Sequence, residues 1–499
     1  MTKSASILQS NWLAVAIILI IGGYLLIYDL GDGYLWQDEA ETACVSRTVL
    51  QSGIPKGFDG VNYFSQQDGK EYGENYTWKL HPWFQFYWTA TFFATLGEST
   101  FTARLPFALL GLGSALLGFF LSLMLWKDRK TAWFTAGFFA ANTMFLLLTT
   151  QARYYGAVIF FSLYAVYGLL AVIQEKKHGL LHLVLGSFLL FHSHYLYALN
   201  FWGVSLVYVF LFERQMLKKV ALTTIGLWIV CIPFMLWLID TPYGSSFEIG
   251  SKFKEGFNIF TPYFFTHIFA PLWLVVPLLF YFFGNNFKSL KLDWKVEKPL
   301  LLFAGLIVGN MLILFLLMQN AFPRYLCGLL PFAFLIKGRL SGWLSQLHIG
   351  LPIFVLLIIL FIGDFPKYIS KINEDFKGPI EGMVKFIEET SSPDDVIGLG
   401  YGDLPLKFYL PNRIYGGLAA DLPEDPNILD LIIIRQHPIT DRDYSVTQFL
   451  IQHLDNNPEL YKAYSINVQD HGFQNREVPT EHVYTTLKVN NPLVIHKKQ

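Results

Sequence analysis

Pro82-Trp83-Phe84-Gln85-Phe86-Tyr87-Trp88-Thr89-Ala90-Thr91-Phe92-Phe93-Ala94-Thr95-Leu96 is apolar and aromatic, and its reading decides the fold. Taken as a membrane span, it would put every later Lys/Arg cluster outside. Taken as a helix lying in the interface, it leaves all of them inside, where basic clusters belong. At about 15 residues it is also short for a hydrocarbon core of roughly 30 Å. It reads as an interfacial helix, followed by a true second span from Phe101 to Trp126.

The basic clusters are Lys127-Arg129-Lys130, Lys176-Lys177, Arg214-Lys218-Lys219, Lys288 through Lys298, and Lys337-Arg339. Between consecutive clusters the chain makes two apolar passes and touches the opposite face once. Those outer turns are Gln151 to Tyr155, His192 to Tyr195, the loop Asp240 to Pro262, and Phe322 to Tyr325. A first span, Asn11 to Tyr28, precedes them, and a last pass, Ile349 to Ile362, delivers the tail to the outer face. The sum is about eleven spans, those near 179–191 and 323–336 being short. The expected architecture is a polytopic α-helical membrane protein with interfacial helices and a small C-terminal soluble α/β domain. Residues 1–363 form the membrane module, with a first extracytoplasmic loop over 29–100, and 364–499 form the second domain, also extracytoplasmic.

Composition agrees. The chain is 53% hydrophobic and 15% charged, with a mean hydropathy of +0.39, far more apolar than a soluble domain. A net charge of −1 gives no whole-chain attraction for nucleic acid. Cys44, Cys231 and Cys327 are scattered and read as small buried hydrophobes. Lys3 precedes a long apolar run with no small-x-small site before Asp29, which predicts an uncleaved signal anchor.

Charged residues are nearly absent within the spans and gather at their outer ends: Asp38, Glu39, Glu41, His81, Arg104, Arg153, His192, His194, His267 and Arg324. An ion-coupled transporter places its acids at the midplane, on broken helices between internal repeats. Neither acids there nor repeats are found. The pattern suits an enzyme working at the outer interface on a lipid-anchored substrate. A lipid or oligosaccharide transporter with an outer vestibule is the alternative, and would move cargo without changing its covalent structure.

Four short motifs recur in order and on one side: Asp38-Glu39 after the first span, His81-Pro82 before the interfacial helix, Ala103-Arg104-Leu105-Pro106 entering the second span, and Arg324-Tyr325 opening a late one. In these the chain resembles the GT-C glycosyltransferases of the family 39-like clan, the protein O-mannosyltransferases and lipid A aminoarabinose transferases, over roughly residues 10–340. The resemblance implies transfer of one sugar from a polyprenyl-phosphate donor to a lipid, glycan or protein acceptor outside the cytoplasm, usually with inversion. It further implies an integral protein of a bacterial inner membrane, part of cell-envelope synthesis, with a periplasmic active site. One departure is Pro82-Trp83, where the family has tandem prolines.

Asp38 resembles the family's catalytic aspartate, a general base that takes the acceptor's hydroxyl proton. Asp38-x-x-Glu41 also fits a capping box for a helix from Glu39 to Gln51, although a cap leaves the adjacent acids unexplained. Glu39 fits three roles: orienting the acceptor, sharing a divalent cation, or standing solvated. Arg324, with Tyr325 beside it, suits a two-pronged grip on the donor phosphate; the alternative is an arginine snorkelling to lipid head groups. Arg104 and Arg153 are candidates for the same phosphate, or interfacial anchors. His81 and His194 are candidates to line the acceptor side. With His192 they are also metal-ligand types, but residues two apart on a helix diverge, so no metal and no cofactor is assigned and a divalent cation stays open. The loop 52–80 reads as a lid or acceptor wall, and a second acid from it is either Glu71 or Glu74. Asn75-Tyr76-Thr77 is a glycosylation sequon by pattern.

In the tail, Asp395 to Gly400 and Leu429 to Ile434 read as buried strands, and Gly378 to Thr390 and Val446 to Leu454 as amphipathic helices. Gly398-Leu399-Gly400-Tyr401-Gly402 lacks the full dinucleotide fingerprint and reads as a turn. Such a domain would cap the site or help to select the acceptor.

Overall fold

The computed structural model describes residues 11–79, 81–242, 249–250, 252–269, 293–318, 321–347, 349–362, 364–373, 378–400, 402–435, 441–469 and 492–499. The deciding segment is a helix, Phe84–Leu96, of 13 residues. At about 1.5 Å per residue it extends about 20 Å, short of a hydrocarbon core. Gly97 ends it with φ +83°, a left-handed conformation that favours glycine. Ser99 then caps the 27-residue helix Thr100–Trp126 by accepting from the Thr102 amide. The short helix lies against Gln37–Ser52, the helix of the first loop.

Five helices among the described residues are long and apolar enough to cross a membrane: Thr100–Trp126, Tyr155–Ile173, Tyr195–Phe212, Arg214–Ile239 and Trp294–Leu317. The pair Arg129–Ala141 and Thr143–Thr149, bent by 66°, makes a sixth if its two pieces form one broken span rather than a re-entrant loop. Asn142 makes that break: its side chain caps the second piece through the Phe145 amide and donates to the His267 carbonyl. Trp12–Ile27, Gly179–Ser193 and Gly350–Ile362 are shorter apolar helices. The expected pass between Pro262 and Lys288 falls largely outside the described residues. Arg324 opens a 3₁₀ turn, Pro323–Leu329, that runs into the helix Leu330–Leu347.

The Lys337-Arg339 cluster, read as one marker of the inner face, is buried. Lys337 is buried and donates to the Ile268 carbonyl, and Arg339 is buried in an ion pair with Glu297. Inside/outside parity therefore rests on the other clusters.

Tyr155–Ile173 and Gly179–Ser193 form a tight hairpin. A Cβ at Gly168 would meet the Leu183 backbone nitrogen at 2.4 Å, and one at Gly186 the Ala165 nitrogen at 2.7 Å. Backbone thus faces backbone, the close approach that small residues permit between membrane helices.

The tail forms one five-stranded sheet in the order β2-β1-β3-β5-β4, from β1 (Ile397–Leu399), β2 (Ile414–Tyr415), β3 (Leu431–Ile433), β4 (Tyr461–Gln469) and β5 (Pro492–Lys498). β1 pairs in parallel with β2 and β3, while β5 pairs antiparallel with β3 and β4. The two buried runs read from sequence are β1 and β3. The helices Pro379–Thr390 and Asp441–Asn456 lie where the amphipathic segments were read. The glycine segment leads from β1 into the helix Asp403–Tyr409, with Gly402 at its N-cap. This sheet region sits on the first loop: Glu381 accepts from the Tyr34 amide at 2.8 Å, and Asp403–Tyr409 packs along Gln37–Ser52.

Gly168→Leu should force the hairpin apart, with an overpacking cost of about 1–3 kcal/mol. A lowered thermal midpoint in detergent checks this, with Gly203→Leu, where a Cβ meets nothing within 4 Å, as the tolerated control.

Candidate active site

The first-loop helix Gln37–Ser52 begins at Trp36, whose amide donates to Glu39 Oε2 at 3.4 Å. The expected Asp38/Glu41 capping box is therefore not the one formed. Asp38 lies inside the first turn, because Glu39, three residues beyond Trp36, is the acid that can reach back to the cap. At 100° per residue the helix presents three distinct faces.

The first face carries Glu39. Arg104 Nε and Nη2 donate to its two oxygens at 2.8 and 2.7 Å, and the Ala152 amide donates to Oε1 at 2.9 Å. Both side chains are fully buried. Arg104 also donates to the carbonyls of Leu30, Gly33 and Tyr34, so all five of its N–H groups are used. This corrects two expectations. Glu39 is not solvated, and its oxygens are committed; Arg104 has no donor left for a phosphate.

The second face carries Asp38, Glu41 and Thr42. Arg153 Nη1 donates to the Asp38 carbonyl and to Thr42 Oγ1, each at 3.2 Å, and to Glu41 Oε1. Gln66 Nε2, from the loop, donates to Glu41 Oε2. Burial pushes the Glu41 carboxyl up, with the Arg153 charge opposing. His81 Nδ1 lies 3.6 Å from Glu41 Oε1, and its Nε2 faces Arg153 Nη2 at 3.5 Å. Burial, then the Arg153 charge, holds the His81 pKa well below its usual value. A neutral ring with Nε2 against a guanidinium must accept there, which places its proton on Nδ1, towards Glu41.

Arg324 closes this face. Its Nη2 lies 3.5 Å from Asp38 Oδ2, the two side chains being 11% and 10% exposed. The guanidinium also lies over the rings of Phe322 at 4.2 Å, Tyr325 at 5.6 Å and Trp36 at 5.8 Å. The Tyr197 hydroxyl fixes the turn below by donating to the Tyr325 carbonyl.

The remaining candidates are spread out. His194 is buried between the rings of Tyr197 and Tyr154, centroids 4.8 and 5.1 Å away. His192 packs on Phe188 and Phe234, so the two histidines take separate surroundings. Glu71 is buried and accepts from Ser65 Oγ, the Gln66 amide and the Gln67 amide. It thereby holds the loop that delivers Gln66 to Glu41. Glu74 is exposed in the turn Glu74–Tyr76. Among the described residues no group of three or more His, Cys, Asp or Glu is arranged to hold a metal ion. Asp38 and Glu41 already face guanidinium groups, a charge arrangement that does not fit a divalent cation. Sequence reasoning placed Glu41 in the outer cluster but gave it no role beyond a cap, and missed Gln66. The i, i+3 spacing from Asp38 to Glu41 carried the first signal; nothing local carried the second.

Among solved structures the chain is similar to ArnT from Cupriavidus metallidurans in the apo state, with a TM-score of 0.57 and 13% identity over 98% of each chain. It is similar to the same protein bound to undecaprenyl phosphate, with a TM-score of 0.56 and 13% identity over 98% of each chain. It is also similar to the archaeal oligosaccharyltransferase AglB from Archaeoglobus fulgidus, in complex with an inhibitory peptide and a dolichol-phosphate. There the TM-score is 0.52 and the identity 11%, over 92% of this chain and 73% of that one. The chain therefore shares its fold with ArnT and AglB. No protein-family model and no curated protein matches the chain.

Glu71 supplies a pH test. Burial pushes its carboxyl up to about 7 from 4.5, and Oε2 is buried with no partner. A folded value above the unfolded one means a contribution present in full below pH 4.5 and lost as pH rises to about 7. Glu71→Gln should therefore flatten the fall in thermal midpoint across this window, whose ceiling is about 3 kcal/mol. An unchanged slope in the variant would show that Glu71 does not titrate there.

Proposed function

We propose that the chain is an inverting glycosyltransferase that moves a sugar from a polyprenyl-phosphate donor to an acceptor at the outer membrane interface, with Asp38 as general base. The observation that carries the reading is the pairing of Asp38 with Arg324 in a buried, aromatic-walled corner of a fold shared with ArnT and AglB. Those structures hold undecaprenyl phosphate and a dolichol-phosphate, and a donor of that class is what we assign here.

An in-line displacement needs base and phosphate clamp on opposite sides of one sugar. At 3.5 Å there is no room for a sugar between them, so binding must exchange partners. The donor phosphate takes the place of the Asp38 carboxylate on Arg324, whose other contacts are to ring faces that tolerate a shift. Asp38, released, accepts a hydrogen bond from the acceptor hydroxyl. The hydroxyl oxygen then bonds to the anomeric carbon while the carbon–oxygen bond to phosphate breaks. The proton goes to Asp38 and the electron pair leaves with the polyprenyl phosphate, its charge held by Arg324. Arg153 fixes the backbone of Asp38 and matches Glu41. We further assign the first loop and the tail to one face, the periplasmic side of a bacterial inner membrane.

Asp38→Asn should lose roughly 10²–10⁴-fold in turnover while still binding polyprenyl phosphate, and the helix cap, made by Trp36 and Glu39, is untouched. Near-normal activity, or a product that keeps the donor's anomeric configuration by NMR, rejects the assignment. Arg324→Lys keeps charge but loses the fork, so donor binding should weaken by about 1–3 kcal/mol; unchanged binding in Arg324→Ala returns the residue to lipid anchoring. Cysteines placed at Lys130 and Asp430 should label from opposite sides of the membrane, and same-side labelling sinks the topology.

A further inference from the structure

The third face of the first-loop helix is occupied by the C-terminal sheet region. Gln37, the neighbour of Asp38, donates from Nε2 to Asp403 Oδ1 at 3.0 Å. Asp403 is paired with Lys407 on the same short helix, and both side chains are buried. Lys407 Nζ donates also to the carbonyls of Tyr63 and Gly416, at 2.7 and 3.0 Å, so its three protons are all placed. Tyr63 begins the stretch that delivers Gln66 to Glu41. One buried ion pair therefore reaches both sides of the Asp38/Glu41 face.

The contact is continuous along the helix. Arg47, ten residues after Gln37, donates to the Phe408 carbonyl at 3.0 Å and pairs with Glu98. The Tyr409 hydroxyl accepts from the Leu35 amide at 2.8 Å, and its ring stacks on Tyr34 at 4.1 Å. Around the helix axis Gln37 and Arg47 lie about 80° apart, and Gln37, four residues before Glu41, borders the Asp38/Glu41 face. A buried ion pair is a poor source of net stability; its return is a fixed geometry.

We propose that the Asp403–Tyr409 helix is the positioning element of the Asp38 helix, with Gln37–Asp403 setting the first turn, so that the C-terminal region completes the active site rather than serving only as an acceptor module. This rests on Asp38 being the acting base. Asp403 and Gln37 touch no reacting atom; they act through Asp38, and a displacement near 1 Å at such a base costs about 10²-fold.

The test uses the full chain in nanodiscs, with polyprenyl-phosphate-linked sugars extracted from membranes as donor. Gln37→Met keeps length and burial but removes the amide, and leaves the Asp403–Lys407 pair intact. Turnover should fall by about tenfold or more, with donor KM within about twofold and the thermal midpoint unmoved. Wild-type turnover in Gln37→Met overturns the proposal, as does a loss of turnover that merely tracks a lowered midpoint. Hydrogen exchange at the amides of residues 38–42 reads positioning without any reaction: it should quicken in Gln37→Met, and unchanged exchange also overturns the proposal. If the unaltered chain transfers no sugar, the assigned reaction fails, while the exchange result still decides the coupling.

Discussion

The Glu39–Arg104 pair is the constraint on which the rest of the site depends. Two opposite charges are withdrawn fully from solvent, which is costly, and removing either partner alone would cost about 3–5 kcal/mol. Glu39 reaches the Trp36 amide, the Ala152 amide and the Arg104 guanidinium at once. Arg104 gathers the carbonyls of Leu30, Gly33 and Tyr34. The first helix's exit, the first-loop helix, the second span and the turn carrying Arg153 are therefore referenced to one carboxylate. Trp36 sits where it does because of that cap, and its ring forms part of the wall behind Arg324. The acid beside Asp38 thus builds the frame in which Asp38 sits.

Much of this was legible in the sequence. The membrane helices announce themselves by apolar length, and the short aromatic helix by being too short. Of the charged residues that the sequence singles out, Asp38, Glu41, His81, Arg153 and Arg324 do come together, because charge near lipid needs a partner and partners converge. The sequence could not say which carboxylate meets which arginine. Asp38, Glu39 and Glu41 differ by one to three positions, yet Glu39 meets Arg104, Glu41 meets Arg153 and Asp38 meets Arg324. Gln66 was hidden for another reason: its loop folds back through isolated bridges, Lys56 to Thr77, Phe58 to Tyr63 and Tyr72 to Trp78, which leave no periodic signature. Lys337 and Arg339 read only as one more basic cluster of the inner face, and their burial against the Ile268 carbonyl and Glu297 shows only in the packing.

In the tail, β1 and β3 were visible as short apolar runs buried on both faces. β2 has two residues and gave no signal. β4 and β5 mix lysines and tyrosines with aliphatic residues, so their pairing rests on register rather than composition. Residue 401 of the glycine segment lies outside the described residues, and Gly402 is the N-cap of the Asp403–Tyr409 helix. What composition could not reveal is that this segment aims a helix at the first loop.

The position of β5 bears on the order of assembly. It follows β4 in the chain, yet it lies inside the sheet, joining β3 to β4. Helical hairpins such as Tyr155–Ile173 with Gly179–Ser193 bring together residues close in sequence, and such contacts form early. Ile433 must wait for Ile495. The sheet that covers the first loop therefore closes through contacts far longer in sequence than those of the helical hairpins, and such closure is intrinsically slower.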